Sequence, residues 1–436
     1  NTGVFRGSIA LDDVSGVAVT DGDLDVTKGD FITVIYHDQS DDFGNPATVT
    51  DTAIFGATVL SGQSITANTT WSKTESPYML TGDIVVEGGA TLTIEPGTEI
   101  RFAPNQDDNN QGNYQYDIEI VIYGTLNAEG TEQERIVFTS NAQQKAAGDW
   151  GGIRFSDGQR NNNYYYGGGT IRYSLIEYAS TPVFYVGQTS SLTIDNNIIS
   201  NNNGGISANV KQGEILTITN NTLSGNTLSG GTLIQAYSGD GTGITISGNE
   251  ITGNSFNGTT IINSYSGTIT NNTITDNTQS GSYPRGISGQ GTITNNTISN
   301  NTLNTAIQSG GTAIISGNAI TGNNISYYGI SLSGSGQGGT VNGNTITNNG
   351  NASGIYISGN DINALYSPVI RDNTISGNRY GIYPNQYATP KVSGNNIYGN
   401  TSYDYINYTA YEQDAKGNYW GADVTAEMNA GGNPKN

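Results

Sequence analysis

The feature that most restricts this chain is a nine-residue pattern that returns through its second half: apolar, polar, Asn/Gly/Asp, Asn, any residue, apolar, Ser/Thr/Tyr, small polar, Asn. It reads IDNNIISNN, ITNNTLSGN, ISGNEITGN, ITNNTITDN, ITNNTISNN, ISGNAITGN, VNGNTITNN, IRDNTISGN and VSGNNIYGN. Its fourth-position Asn falls at Asn197, Asn221, Asn249, Asn272, Asn296, Asn318, Asn344, Asn373 and Asn395, so nine copies recur every 22–29 residues. A period in this range marks a solenoid, with one coil per copy. The alternation inside each copy means strand, with Ile and Leu inward and Thr and Ser outward. Gly, at 61 of 436 residues, and the density of Asn work against helix. A leucine-rich repeat has a similar period, but its leucine consensus is absent. What remains is a parallel β-helix whose coils rise about 4.8 Å each. The recurrent Asn is expected to sit at a corner. There it adopts the αL conformation that a sharp bend needs and bonds through its amide to the same Asn on the coils above and below. A flat Thr array can bind ice, but the outward positions here mix Thr with Glu250, Arg371 and Asn396.

Upstream of the repeat stand TGDIVVEGGATLTIEPGTEIRF (81–102), ERIVFTSN (134–141), GDWGGIRF (148–155) and TIRYSLIEYAS (170–180); downstream stands AKGNYWGA (415–422). With the nine copies, these segments resemble the right-handed parallel β-helix superfamily. It contains pectate lyases, polygalacturonases, mannuronan epimerases, tailspikes and many non-enzymatic bacterial surface proteins. The upstream segments are similar to the opening coils of exported members, and the last to the aromatic segment that closes such helices. The resemblance covers about residues 60–425. It implies an all-β fold and a secreted or cell-surface bacterial protein, and it leaves the activity open, because fold does not imply function.

Four segments are expected: 1–57, 58–80 as linker and N-terminal cap, 81–400 as the β-helix, and 401–436 as the C-terminal cap. An open solenoid end exposes unpaired strand edges, which is why caps are required. Residues 1–57 hold ten Asp, no Glu, Arg6 and Lys28. Their alternating runs VFRGSIAL, GVAVT and FITVIYHD read as antiparallel strands. They resemble part of an immunoglobulin-like or cadherin-like module, short for a complete one, as though trimmed upstream.

Composition removes whole classes of function. Without Cys there is no disulfide scaffold, zinc–thiolate site or cysteine nucleophile. With His37 as the sole His, no multi-histidine metal centre can be built, and a copper-site role fails for want of soft ligands. A net charge of −21 argues against nucleic acid and anionic lipid as partners. No apolar run approaches the roughly 20 residues that span a bilayer, so no membrane insertion is expected.

The chemistry of β-helix enzymes was sought residue by residue. The resemblance implies Asp-held calcium with an Arg or Lys base for lyases, an Asp cluster for hydrolases, and Asp-Pro-His for epimerases. Residues 181–400 carry the acids Asp195, Glu214, Asp240, Glu250, Asp276, Asp361 and Asp372, and no two share a register on adjacent coils. No Asp-Pro-His occurs. The best residual cluster is Asp361, Arg371, Asp372 and Arg379, for which a solvated corner is the plainer reading. Calcium, which takes oxygen ligands from flexible carboxylates, is placed in the N-terminal segment at Asp21, Asp23, Asp30, Asp38, Asp41 and Asp42, with Asp107 and Asp108 as a weaker second candidate.

Tyrosine is the informative excess, 27 against 9 Phe. A flat ring with a hydroxyl suits stacking on sugars. Tyr164, Tyr165 and Tyr166 are placed on a loop thrown out from an early coil. Tyr237 and Tyr265, each 16 residues after a repeat Asn, are expected to stack on neighbouring coils. Tyr327, Tyr328, Tyr356, Tyr380 and Tyr383 flank the third strands. The expectation is a non-catalytic extracellular module that presents a Tyr/Asn/Thr face to a glycan or a surface protein. The alternatives are a polysaccharide lyase or hydrolase, and a tailspike-like receptor-binding protein.

Overall fold

The computed structural model describes residues 11–13, 24–26, 28–38, 46–104, 106–112, 117–160, 162–238, 243–258, 260–281 and 283–430. It is an all-β solenoid of about thirteen turns. Each turn contributes one strand to each of three parallel sheets that wrap a common core. The first sheet has thirteen strands, from Thr69–Trp71 to Lys391–Ser393, and the second has fourteen, from Thr58–Leu60 to Asn396–Tyr398. The third runs from Gln63–Ile65 to Tyr403–Tyr405 and Tyr408–Thr409, and also holds the hairpin described below. Parallel stacking therefore begins at residue 58.

The inward residues stack in columns because the register repeats without slippage through the motif. Ile194, Ile218, Ile246, Ile269, Ile293 and Ile315 form one such column on the first sheet. Ile206, Ile234, Ile262, Ile287, Ile307, Ile330, Ile355 and Ile382 form another on the third. All of them are at most 1% exposed. One hydrophobic core runs the length of the rod, and β-branched Ile fills it in rotamers that strands favour.

The corners work differently from the expectation. The αL conformation belongs to the residue before the repeat Asn. Asn196, Asn220, Gly248, Asn271, Asn295, Gly317, Gly343, Asp372 and Gly394 have φ between 55° and 68°. This accounts for the Asn/Gly/Asp choice at the third position, the residues that tolerate αL. The repeat Asn itself is buried, at most 1% exposed, and is spent wholly on its amide. From Asn197 to Asn395, each Nδ2 donates to the Oδ1 of the next repeat Asn, ending at Asn418, at 2.8–3.0 Å. Each backbone N–H shares the same acceptor.

A second ladder, not singled out from the sequence, uses the ninth-position Asn. It runs through Asn202, Asn226, Asn254, Asn277, Asn301, Asn323, Asn349, Asn378 and Asn400. Asp404 ends it by accepting the Nδ2 proton of Asn400 at 2.7 Å. Here too the residue before each Asn is αL, from Asn201 to Gly399. The motif thus encodes two corners.

At the N-terminal side, Phe31–Asp38 pairs antiparallel with Ala47–Ile54, and Leu11–Asp13 lies parallel to Leu24–Val26. Arg101 Nη1 donates to the carbonyl of Gly29 at 2.7 Å, so the antiparallel pair is tied to the rod. At the other end Trp420 meets Tyr405 edge-on at 6.1 Å, ahead of a short helix, Ala422–Asn429.

Asn296 and Asn295 separate the two corner roles. Asn296→Asp removes the donors to Ile269 O and Asn318 Oδ1 and buries a charge. It is expected to cost about 3–5 kcal/mol in urea unfolding. Asn295→Gly keeps the αL corner and is expected to shift stability by only a few tenths of a kcal/mol.

Candidate functional site

The outer face of the third sheet carries the longest strands of the repeat region and a run of tyrosine ring contacts. Its eight main strands from Ile206–Val210 to Tyr380–Gln386 contain no Asp, Glu, Lys or His, although the chain has 37 Asp and Glu. Their one charged residue is Arg285. The register sets Ser207, Gln235, Asn263, Ser288, Gln308, Ser331, Tyr356 and Tyr383 in one outward column. Thr260, Arg285, Thr305, Tyr328, Ser353, Tyr380 and Tyr403 form a second column, in which Thr260, Thr305 and Ser353 are buried between the larger side chains.

Two hollows open side by side on the middle coils. One, of about 300 Å³, is lined by side chains that include Asn263, Tyr265, Gln290, Gln308, Ser333 and Asn360. The other, of about 380 Å³, is lined by Tyr283, Arg285, Asn304, Gln308, Tyr327 and Tyr328. Gln308 borders both, so together they make one shallow groove across the face. Amides and hydroxyls form its floor, exposed rings form its rim, and no carboxylate lines it. Among the described residues Arg285 forms no ion pair. Arg101, Arg154, Arg160, Arg172 and Arg371 each have a carboxylate, and Arg135 and Arg379 each lie over a tyrosine ring.

The structure sorts the expected tyrosines. Tyr327, Tyr328, Tyr356, Tyr380 and Tyr383 lie together on this face, and Tyr283, which the sequence reading passed over, joins them. Tyr265 stands 64% exposed on the groove. Among the described residues no ring contact joins it to Tyr237, whose hydroxyl instead accepts the Asn263 amide proton at 3.0 Å. Tyr237 lies within its strand, Thr232–Ser238, whereas Tyr265 stands one residue past the end of Thr260–Ser264 and borders the groove. Tyr164, Tyr165 and Tyr166 are not on a free loop: Asn163–Tyr166 pairs antiparallel with Gly152–Arg160. Tyr165 lies against Gly88, whose missing side chain leaves the room for its ring, and Lys211 sits 4.4 Å over Tyr166. The aromatic hairpin is thus fastened down.

The four weak catalytic candidates are not brought together. Arg371 and Asp372 form an exposed ion pair at 3.0 Å at the corner between the first and second sheets. Arg379 lies over Tyr380 at the next corner, and Asp361 caps its own turn by accepting the Asn363 N–H at 2.8 Å. Of the expected calcium ligands, Asp21, Asp23, Asp41 and Asp42 lie outside the described residues, Asp38 is described in its backbone alone, and Asp30 is exposed. Asp107 and Asp108 are already engaged, Asp107 with the N–H groups of Asn109 and Asn110 in its own loop and Asp108 with Gln106 and, across the coil, Thr81. Among the described residues no group of three or more His, Cys, Asp or Glu could hold a metal.

Paired carboxylates do occur, upstream of the region where they were sought. Asp83 and Glu119, both fully buried, share a register on adjacent coils of the third sheet. Asp83 accepts the backbone N–H groups of Glu119, at 2.7 Å, and of Gly112. Glu119 lies 3.4 Å from buried Arg154. Burial pushes Asp83 up to about 6 against the pull of those N–H groups, and Asp107 adds to the rise. The pair lies shut beneath the segment that carries Gly112, so its role is to clasp that segment to the rod.

Known proteins were compared with this geometry. Residues 63–183 match the family described as Pectate-lyase like beta helix domain, and residues 208–367 match the one described as Right handed beta helix region. The chain is a right-handed parallel β-helix. Over 85 residues, 20% of this chain, it is 39% identical to Protein bark beetle of Drosophila melanogaster, and the match spans 2% of that protein's length. Among solved structures it is similar to the periplasmic alginate epimerase AlgG, in a doubly substituted form. That likeness is 12% identical, covers 83% of this chain and 86% of that one, and has a TM-score of 0.45. It is also similar to the A-module of the Azotobacter vinelandii mannuronan C-5 epimerase AlgE6, at 12% identity, 83% and 89% coverage and a TM-score of 0.26. The function is therefore read from this chain's own residues.

Asp83 has a signature in pH. Its folded value lies above the usual 3.8, so its contribution favours the folded state fully below about pH 4 and is lost as pH rises through 6. Relative to Asp83→Asn, the unsubstituted protein should lose on the order of 3 kcal/mol between pH 4 and pH 7 in denaturant titrations. A difference that does not change with pH would contradict this.

Proposed function

We propose that this β-helix is a non-catalytic, glycan-binding module of a secreted or cell-surface protein, and that the groove on its third face holds the sugar. The observation that carries the reading is a groove floored by amides and hydroxyls, rimmed by the exposed rings of Tyr265, Tyr283 and Tyr327, with no carboxylate in its lining. Sugar rings offer apolar C–H faces to aromatic rings and hydroxyls to amides, which is the chemistry this groove presents. Glycoside hydrolysis needs two carboxyl groups astride the scissile bond, and the groove lining supplies none. A rigid rod suits adhesion and surface assembly because it fixes such a face in space. The export assignment rests on the Cys-free, Tyr- and Thr-rich composition.

The test is a glycan array with the purified protein, followed by analysis of any bound polysaccharide for new reducing ends or unsaturated products. Binding without products is expected. Tyr327→Ala and Gln308→Ala should each weaken it about tenfold, roughly 1–2 kcal/mol. Released products would point to a lyase or hydrolase and overturn the non-catalytic reading. Repeating the array with a chelator tests calcium: loss of binding would show that a cation takes part, and unchanged binding is expected of the groove alone.

A further inference from the structure

Eight tyrosines of the third face are in ring contact, and of these Tyr283, Tyr327 and Tyr328 also line the groove. They touch one another in a chain. Ring centroids run from Tyr283 to Tyr327 at 6.3 Å, to Tyr328 at 6.0 Å, to Tyr356 at 4.2 Å and to Tyr383 at 5.3 Å. From Tyr383 the chain forks, to Tyr408 at 5.1 Å, and through Tyr380 at 5.8 Å to Tyr403 at a further 6.2 Å. Several faces are turned on each other, with interplanar angles of 14° for Tyr328–Tyr356 and 8° for Tyr380–Tyr403. A face closed by a neighbouring ring is not open to a sugar, and Tyr356, Tyr380, Tyr383, Tyr403 and Tyr408 lie outside the groove lining, so glycan stacking does not explain the chain beyond Tyr328.

Both ends of the chain reach solvent. Tyr283 and Tyr327 are 64% and 47% exposed at one end, and Tyr408 and Tyr403 are 60% and 43% exposed at the other. Tyr328, Tyr356, Tyr380 and Tyr383 between them are part-buried, and burial pushes the Tyr328 phenol up to about 12. An oxidised phenol sheds its proton, and water accepts it at the exposed ends. Sulfur side chains, which are readily oxidised, are absent from the path. The chain has no Cys, and its two Met residues are Met79 on the second sheet and Met428 in the terminal helix.

We propose that this run of rings is an oxidative modification site through which two copies of the protein become joined by dityrosine bonds at its exposed ends. A peroxide-consuming oxidant removes one electron and one proton from a phenol of the chain. The hole passes between rings in contact, each phenoxyl taking back an electron and a proton as the next phenol gives them up, and settles at an exposed end. Two such phenoxyl radicals, one from each copy, form a carbon–carbon bond between their ortho positions, and each ortho hydrogen then returns to its oxygen. Two tyrosines together lose two electrons and two protons, which reduce one hydrogen peroxide to two waters. This inference does not rest on the glycan reading.

The absence of Cys allows the oxidant to be fixed at one end. Asn304→Cys, beside Tyr283 and Tyr327, is labelled with a ruthenium tris-bipyridyl photo-oxidant and illuminated with persulfate. Dimers are then mapped by mass spectrometry and dityrosine fluorescence. Cross-links are expected at Tyr403 and Tyr408, the far end, as well as at Tyr283 and Tyr327. Tyr356→Phe keeps the ring but removes the phenol from the link between Tyr328 and Tyr383, and should abolish the far cross-links while sparing the near ones. Tyr383→Phe cuts the chain one link further on and should do the same. The proposal is overturned if far cross-links never form, or if both variants leave them unchanged, since the rings would then be packing alone.

Discussion

The amide of a buried asparagine sets the form of this molecule. An Asn side chain has a donor and an acceptor at fixed angles, and stacking coils at strand spacing lets each amide serve the one beneath it. Buried polar groups are costly unless satisfied, so each ladder position is strongly selective for Asn once the coils are in register. The same bonds fix the register, because a slip of one residue would strand every amide of the ladder in the core and turn the Ile columns outward. Two ladders per turn pin two corners of the triangular coil. The third connection, from the third sheet back to the first, has no ladder, and the variation in repeat length falls there and in the approach from the second ladder to the third sheet.

That division places the groove. The second face alone lies between the two ladders, and its strands from Ile198–Ser200 to Asn396–Tyr398 are each three residues long. The third face ends at the free connection, so its strands lengthen to 9 residues at Thr302–Gly310 and 11 at Asn324–Gly334. Longer strands and outlying turns such as the one at Asn360 and Asp361 are what make a hollow on an otherwise flat wall. No carboxylate lines the two hollows, in a chain of net charge −21, and Arg285 is the one cation of their lining.

Much of the scaffold could be read from residue types alone. Strand, coil and inward Ile follow from period-2 alternation repeated at a solenoid spacing. The third- and fourth-position residues were merged into one role, because Asn serves both αL geometry and amide stacking. The alternation of Asn with Gly and Asp at the third position, set against unvarying Asn at the fourth, is the signal that separates them. The ninth-position Asn carried the same signal for the second ladder. The groove was harder to read: Arg285, Gln308 and Asn263 lie in the third strand, whose spacing from the motif varies, so their alignment appears only in the register of the sheet. The Asp83–Glu119 pair was missed because the two are 36 residues apart, across an insertion that hides their common register.

The hydrogen bonds between coils, backbone and Asn alike, point along the rod. A pull on the two ends therefore loads them coil after coil, in the manner of a zipper, and not all together in shear. Each coil that peels away frees 22–29 residues of chain and lengthens the molecule by roughly 75–100 Å, while the coils beneath stay intact. Under tension such a rod pays out in steps, and a face carried between two tethered surfaces would remain folded while the outermost coils absorb the strain.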